Sequence, residues 1–234
     1  MRAVDLIVPV HDEEREVGAC LRALVRSARH PRLRDIEVRL AVVLDACSDR
    51  SGEIAEATLR DVSGTSLVEC RMRSAGAARG VGAEALRRTL PGRALEEVWV
   101  ATTDADTRVP PDWLVRHVAA AAAGADAVAG VVEVADWHEQ PEHVRRVFER
   151  WYRASARASS HEHVHGANLG VRASALAAAG GMPALALAED HALVDRLVAI
   201  DAQILRTAAV RVVTSARREG RARGGFSDLL RTLA

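Results

Sequence analysis

Apolar, largely β-branched residues recur in short runs along the first half of the chain, at residues 4–10, 38–44, 67–70, 98–102 and 127–134. Runs of that length bounded by polar residues read as buried strands. The stretches between them carry the helical period instead. Val17, Leu21, Leu24 and Val25 recur at helical spacing after the acidic start Asp12, Glu13 and Glu14, which suits the positive end of a helix. Helical segments are also predicted at residues 51–60, opened by Ser51, at 77–89, and at 111–123 with Pro111 in the first turn. Alternating strand and helix predicts an α/β fold: a mostly parallel central sheet with helices on both faces.

After residue 134 the pattern changes. A polar stretch at residues 136–141 leads into a long helical pattern through Val144, Val147, Phe148 and Trp151. A segment rich in His and Gly follows, then shorter helices at 176–181 and 189–200 and a strand at 210–214. No repeat and no linker-like stretch interrupts the chain, so one domain over residues 1–234 is expected, with a second half, 108–234, packed on the first, 1–107.

Composition narrows the chemistry. The 32 basic residues balance 32 acidic ones, so no general footprint for nucleic acid is present. Every basic residue is Arg; the absence of Lys removes Schiff-base chemistry and a Walker-type phosphate loop. Cys20, Cys47 and Cys70 lack the spacing of a zinc knuckle or redox pair, the start lacks a signal-peptide pattern, and no apolar run approaches a membrane span. A cytoplasmic protein without an integral membrane segment is the expectation.

In open α/β sheets, ligands bind beyond the carboxyl ends of the strands, where loops and helix N-termini gather. Here those positions are acidic. Pro9, Val10, His11, Asp12, Glu13 and Glu14 follow the first strand, and Asp45 to Asp49 the second; each alone reads equally well as a capped turn. Thr102-Thr103-Asp104-Ala105-Asp106 follows the run at 98–102. Two carboxylates two residues apart at a strand end supply hard oxygens for Mg²⁺ or Mn²⁺, an ion that usually completes its shell with water and substrate phosphates. The glycines of Gly76-Ala77-Ala78-Arg79-Gly80-Val81-Gly82 do not form a dinucleotide fingerprint. They suit either close helix packing or the approach of a nucleotide whose phosphate or base meets Arg79.

In order, these segments resemble the family 2 glycosyltransferases with the GT-A fold. Val8 to Glu14 is similar to their V-P-x-Y-N-E-E start, Asp45 to Asp49 to D-G-S-T-D, Ala78 to Gly82 to A-R-N-x-G, and Asp104-Ala105-Asp106 to D-x-D. Gly166-Ala167-Asn168, with Arg172, Leu176, Gly180 and Gly181, resembles the acceptor-side segment, and Glu189-Asp190 the E-D pair. The resemblance runs from about residue 4 to residue 200. It implies an inverting, metal-dependent transfer from a nucleotide-sugar donor to a small-molecule acceptor, with residues 1–107 as the nucleotide-binding half and 108–234 as the acceptor-binding half. It further implies nucleotide binding by Pro9, His11, Glu13, Asp45, Arg79 and Asp104, and a divalent ion on Asp106 and Asp104 with His165 completing its shell. Asp190 is then the base, with Gly166, Asn168 and Glu189 on the acceptor side. Three departures bear on the donor: His11 replaces an aromatic Tyr, Asp12 replaces Asn, and Leu44 stands where the carboxylate that reads uracil usually lies.

Other features stay open between two readings. His161, His163 and His165 would share one face of a strand, either as zinc ligands or as a polar cleft wall. Arg218 and Arg221, in the charged segment after the last strand, belong to a solvated tail or to a lid over a diphosphate. Trp137, Phe148, Trp151 and Tyr152 form a core stripe, with Trp137 alternatively stacking on an acceptor. The competing functions are a nucleotidyltransferase on a similar sheet, against which the acidic first loop speaks, and a sugar-nucleotide-binding module without turnover.

Overall fold

A computed structural model of the chain describes residues 1–89, 92–134, 136–156, 161–185, 187–217 and 226–233, with backbone alone for 153–156. Seven strands form one sheet in the order β3-β2-β1-β4-β6-β5-β7. They are β1 (Ala3–Val10), β2 (Glu37–Asp45), β3 (Thr65–Cys70), β4 (Val98–Thr102), β5 (Ala127–Val134), β6 (Leu169–Arg172) and β7 (Ile204–Thr214). Pairing is parallel except where β6 runs against β4 and β5. Strands β1, β2 and β4 are buried on both faces, which is why they read as continuous apolar runs rather than alternating ones.

Helices cover both faces. Helix α1 (Val17–Ala28) buries Val17, Leu21 and Leu24 in the larger apolar cluster, each fully buried Leu contributing about 2 kcal/mol. That face also carries α2 (Ser51–Leu59), α4 (Trp113–Ala122) and α5 (Glu142–Ala156). The opposite face carries α3 (Ala75–Thr89), α6 (Ala173–Ala178) and α7 (Glu189–Ala199). Helix α8 (Phe226–Thr232) sets Phe226 edge-on to Phe148. Gly82 lets α3 lie directly on the sheet: a Cβ there would stand 2.6 Å from Ile7 and 2.9 Å from Val43.

Two differences from the pattern-based reading matter for the site. Strand β6 is four residues long and contains Gly170, too short and too weakly apolar to stand out, yet it inserts between β4 and β5. Its antiparallel direction pairs its first residue, Leu169, with the last residue of β4, Thr102. The segment before β6 is thereby delivered to the edge of the sheet where the parallel strands end. The second difference is in the three histidines. Residues 161–165 make no strand ladder, and their rings form a column, 5.7 Å from His161 to His163 and 6.0 Å from His163 to His165. Tyr152 stacks on His163 at 4.3 Å.

Candidate functional site

A cavity of about 560 Å³ opens at the carboxyl ends of β1, β2 and β4 and takes its far wall from the segment before β6 and the start of α7. Asp104, Asp106 and Asp190, separated by up to 86 positions in sequence, all line it. So do Pro9, His11, Glu13, Asp45, Arg79, His165, Gly166 and Glu189. Asn168 does not.

The loops that build the near wall hold one another. Asp12, at φ 53°, accepts the amides of Ser48 and Asp49; the Glu13 amide donates to the Ser51 hydroxyl, and the Glu14 amide to Asp49. Asp12, Cys47 and Asp49 bring three ligand-type atoms within 4.8 Å of one another, but both carboxylates already serve these backbone amides, so the cluster is a clasp between loops. No group of three histidines meets the same spacing among the described residues.

Asp45 also works on backbone. Its carboxylate accepts the amides of Met72, Arg73 and Ser74 at 2.6, 2.9 and 3.0 Å, which shapes the turn that starts α3. The adjoining carbonyl of Asp45 lies 2.6 Å from His11 Nδ1; a carbonyl only accepts, so Nδ1 carries the proton.

Two arginines tie the acids together. Arg79, with only 5% of its side chain exposed, reaches Asp104 and Glu189 at 2.5 Å each. Gly166 is required beside it, since a Cβ would fall 2.6–3.0 Å from the guanidinium atoms. Arg217, just past β7, makes two 2.6 Å bonds to Glu13 and a 3.0 Å contact with Asp106.

The charges do not cancel. The cavity is lined by six carboxylates and three guanidiniums. Asp104 remains accessible from the cavity, yet the surrounding protein desolvates it and its carboxyl is pushed up to about 6, against the pull of Arg79 and with neighbouring Asp106 adding to the rise. Burial likewise raises Asp106, offset by Arg217 and reinforced by Glu13. Asp190 goes the other way. Burial would raise it, but the His191 side chain and amide, with the Gly166 amide at 2.9 Å, hold it at about 2. His165 is pushed down to about 4, chiefly by burial, so it is neutral near pH 7. Its Nε2 lies 3.1 Å from the Tyr152 hydroxyl, which leaves Nδ1 for any other ligand.

A net negative cavity of hard oxygens with a neutral imidazole at its wall suits a divalent cation, because an anionic ligand would otherwise be repelled. Asp106, Asp104 and His165 fit that role by donor type and all line the cavity, but their ligand atoms do not all lie within 4.8 Å of one another.

One expectation is overturned. Asn168 faces the core rather than an acceptor: its side-chain oxygen accepts from Trp113 Nε1 at 2.9 Å, and its nitrogen donates to the carbonyls of Val131 and Val210 at 2.8 and 3.1 Å. A polar residue between small ones reads the same whether it meets a ligand or satisfies a buried sheet bulge, so sequence alone does not separate these. Arg218 and Arg221 lie outside the described residues. Arg217, by contrast, was legible only as part of an Arg-rich stretch; its position one turn past a strand end was the signal. A second cavity of about 470 Å³ lies beyond Val132 and Tyr152, walled by Trp137 and Phe148.

The sequence profile of glycosyl transferase family 2 matches residues 5–177. No curated protein sequence matches the chain. Among solved structures, S. aureus TarS 1-349 superposes with a TM-score of 0.67 at 14% identity, covering 92% of this chain and 61% of that one. Its complex with UDP-GlcNAc gives 0.65 at 17%, over 94% and 60%. The mannosyltransferase PcManGT from Pyrobaculum calidifontis, in complex with GDP-Man and Mn²⁺, gives 0.68 at 20%, over 93% and 58%. At these identities the likeness is one of fold, and this chain spans about three-fifths of the length of those proteins. No helix among the described residues is long and apolar enough to cross a membrane.

Proposed function

This chain belongs to glycosyl transferase family 2, and from that premise we propose that it moves a sugar from a nucleoside-diphosphate sugar to a hydroxyl of a small-molecule acceptor, with inversion at the anomeric carbon. The observation that carries this is the meeting of Asp104, Asp106 and Asp190 in one cavity. The complexes of TarS with UDP-GlcNAc and of PcManGT with GDP-Man and Mn²⁺ support a donor and a divalent ion of those classes.

Residues 1–107 form the nucleotide side. Pro9 and His11 flank the base, the latter offering an imidazole face and a free Nε2. Asp45 acts through the turn at 72–74, and Arg79 through Asp104. Asp106, Asp104 and His165 would hold the divalent ion, which when bound offsets the negative charge that builds on a departing diphosphate.

Residues 108–234 form the acceptor side. Gly166 and Glu189 border the place where the acceptor hydroxyl sits, and Asp190 takes its proton as the oxygen attacks C1. The bond from C1 to the phosphate oxygen breaks on the opposite face, and the nucleoside diphosphate leaves with the electron pair. A carboxylate held at about 2 is a weak base toward a free alcohol. It becomes competent as the attacking oxygen acquires positive charge and its proton turns acidic, so proton transfer follows bond formation.

The test is incubation of the full chain with UDP- and GDP-sugars and Mn²⁺, with product analysis by NMR. Release of a nucleoside diphosphate with the sugar in inverted configuration supports the reading. Pyrophosphate release from a nucleoside triphosphate instead marks a nucleotidyltransferase, and binding with no turnover of any donor marks a binding module.

A further inference from the structure

Arg217 closes a bridge between loops that are more than 90 positions apart. Its guanidinium is fixed to Glu13 by two bonds of 2.6 Å and touches Asp106 by one contact of 3.0 Å. All three side chains are largely withdrawn from water, with exposures of 21, 8 and 13% for Arg217, Glu13 and Asp106. A guanidinium in that position neutralises the same oxygens that a hard divalent cation would take as ligands.

We propose that Arg217 is a built-in competitor at the cation site, its guanidinium occupying Asp106 until a divalent ion enters. It holds the Glu13 and Asp106 carboxylates together before an ion enters, and then yields Asp106 while keeping Glu13. The inference rests on the reading of Asp106 as an ion ligand, and adds to it a competitor built into the chain.

The geometry decides which contact gives way. Bidentate bonding to Glu13 is the stronger and more directional link, and the single longer contact with Asp106 is the weaker one. Asp106 does not lose all support when the guanidinium withdraws, because the Thr107 and Thr214 hydroxyls lie 3.4 and 3.5 Å from its Oδ1. The Arg217 amide also donates to the Ser215 hydroxyl at 3.2 Å, so the turn that carries the side chain is pinned independently of Asp106. The NH2 group released from Asp106 remains on the cavity wall, where an anionic oxygen of the donor can accept from it. The exchange swaps one cation for another on Asp106 and frees the first for the substrate.

The experiment titrates Mn²⁺ into the full chain without nucleotide and follows the loss of the EPR signal of hydrated Mn²⁺. Removing the competitor in Arg217→Gln is expected to tighten Mn²⁺ binding roughly tenfold. Arg217→Lys, which keeps the charge but not the bidentate grip, is expected to fall between that variant and the native chain. Two variants that bind Mn²⁺ no more tightly than the native chain would overturn the proposal. A native chain that binds no Mn²⁺ while still binding a nucleoside diphosphate would remove the cation reading itself, and the proposal with it.

Discussion

The backbone amide of Gly166 donates to the carboxylate of Asp190 at 2.9 Å, which fixes the first turn of α7 against the turn that enters β6. Asp190 lines the cavity from the start of α7, while Asp104 and Asp106 line it from beyond the end of β4. Asp190→Asn preserves the shape and removes the carboxylate proposed as the base. Donor affinity is expected to stay within about twofold, while turnover falls by about 10²–10⁴, the usual worth of a positioned proton acceptor. Because Asp190 is ionised from well below pH 4 upward, it contributes no acid limb to the rate profile between pH 5 and 8. Nucleoside diphosphate release against pH, for both chains, checks the two statements together.

Gly166→Ala tests the pairing of Arg79 with its two acids. The added Cβ meets the guanidinium at 2.6–3.0 Å, and that guanidinium cannot move without releasing Asp104 or Glu189. A displacement of the order of 1 Å at a reacting centre costs roughly 10²-fold in rate. The expected outcome is a loss of that size in kcat/KM. Turnover equal to the native chain would mean that Arg79 does not position the site.

The placement of Asn168 in the core gives a stability prediction. Removing its amide in Asn168→Ala leaves Trp113 Nε1 and the carbonyls of Val131 and Val210 without their partner in a dry environment. A loss of about 2–4 kcal/mol is expected from urea unfolding. A change below about 0.5 kcal/mol would show that the network is dispensable.

His117 predicts how stability changes with pH. It is fully buried between Trp99 and Trp113, and burial pushes its pKa down from 6.5 to about 3. Below pH 6.5 the unfolded chain takes up a proton that the folded chain refuses until about pH 3. Stability from this residue therefore falls as pH drops through that window, by on the order of 2 kcal/mol at pH 5 relative to pH 7. His117→Gln, compared with the native chain by urea midpoints at pH 7 and pH 5, should lose that part of the difference; an unchanged difference would assign the acid sensitivity elsewhere.

How far the sequence carried these conclusions depended on how local each signal was. The runs at 4–10, 38–44 and 98–102 are apolar throughout because both faces of those strands are covered, and they appear as β1, β2 and β4 within a residue or two. The acids beyond them were legible for the same reason, since a strand end is a fixed place in an α/β sheet. Strand β6 was not legible: its four residues gain their place by pairing with β4 and β5, a property of the partners rather than of the segment. The buried pair Asp5 and Arg39 was equally hidden. A charge in the middle of each of two strands becomes intelligible only once the 2.5 Å contact between them is known. In the site, residue types announced the acids, but the partners that hold them, Arg217 on Glu13 and Gly166 on Asp190, depend on three-dimensional convergence.

The claim on which the rest depends is that Asp106 joins a divalent cation to a nucleoside diphosphate in this cavity. Thermal unfolding of the native chain and of Asp106→Ala, with UDP or GDP and with or without Mn²⁺, tests it most directly. The account predicts that one of the two nucleotides raises the native melting temperature only when Mn²⁺ is present, and that Asp106→Ala loses this dependence. A nucleotide shift that is the same with and without Mn²⁺, or that persists undiminished in Asp106→Ala, would contradict it.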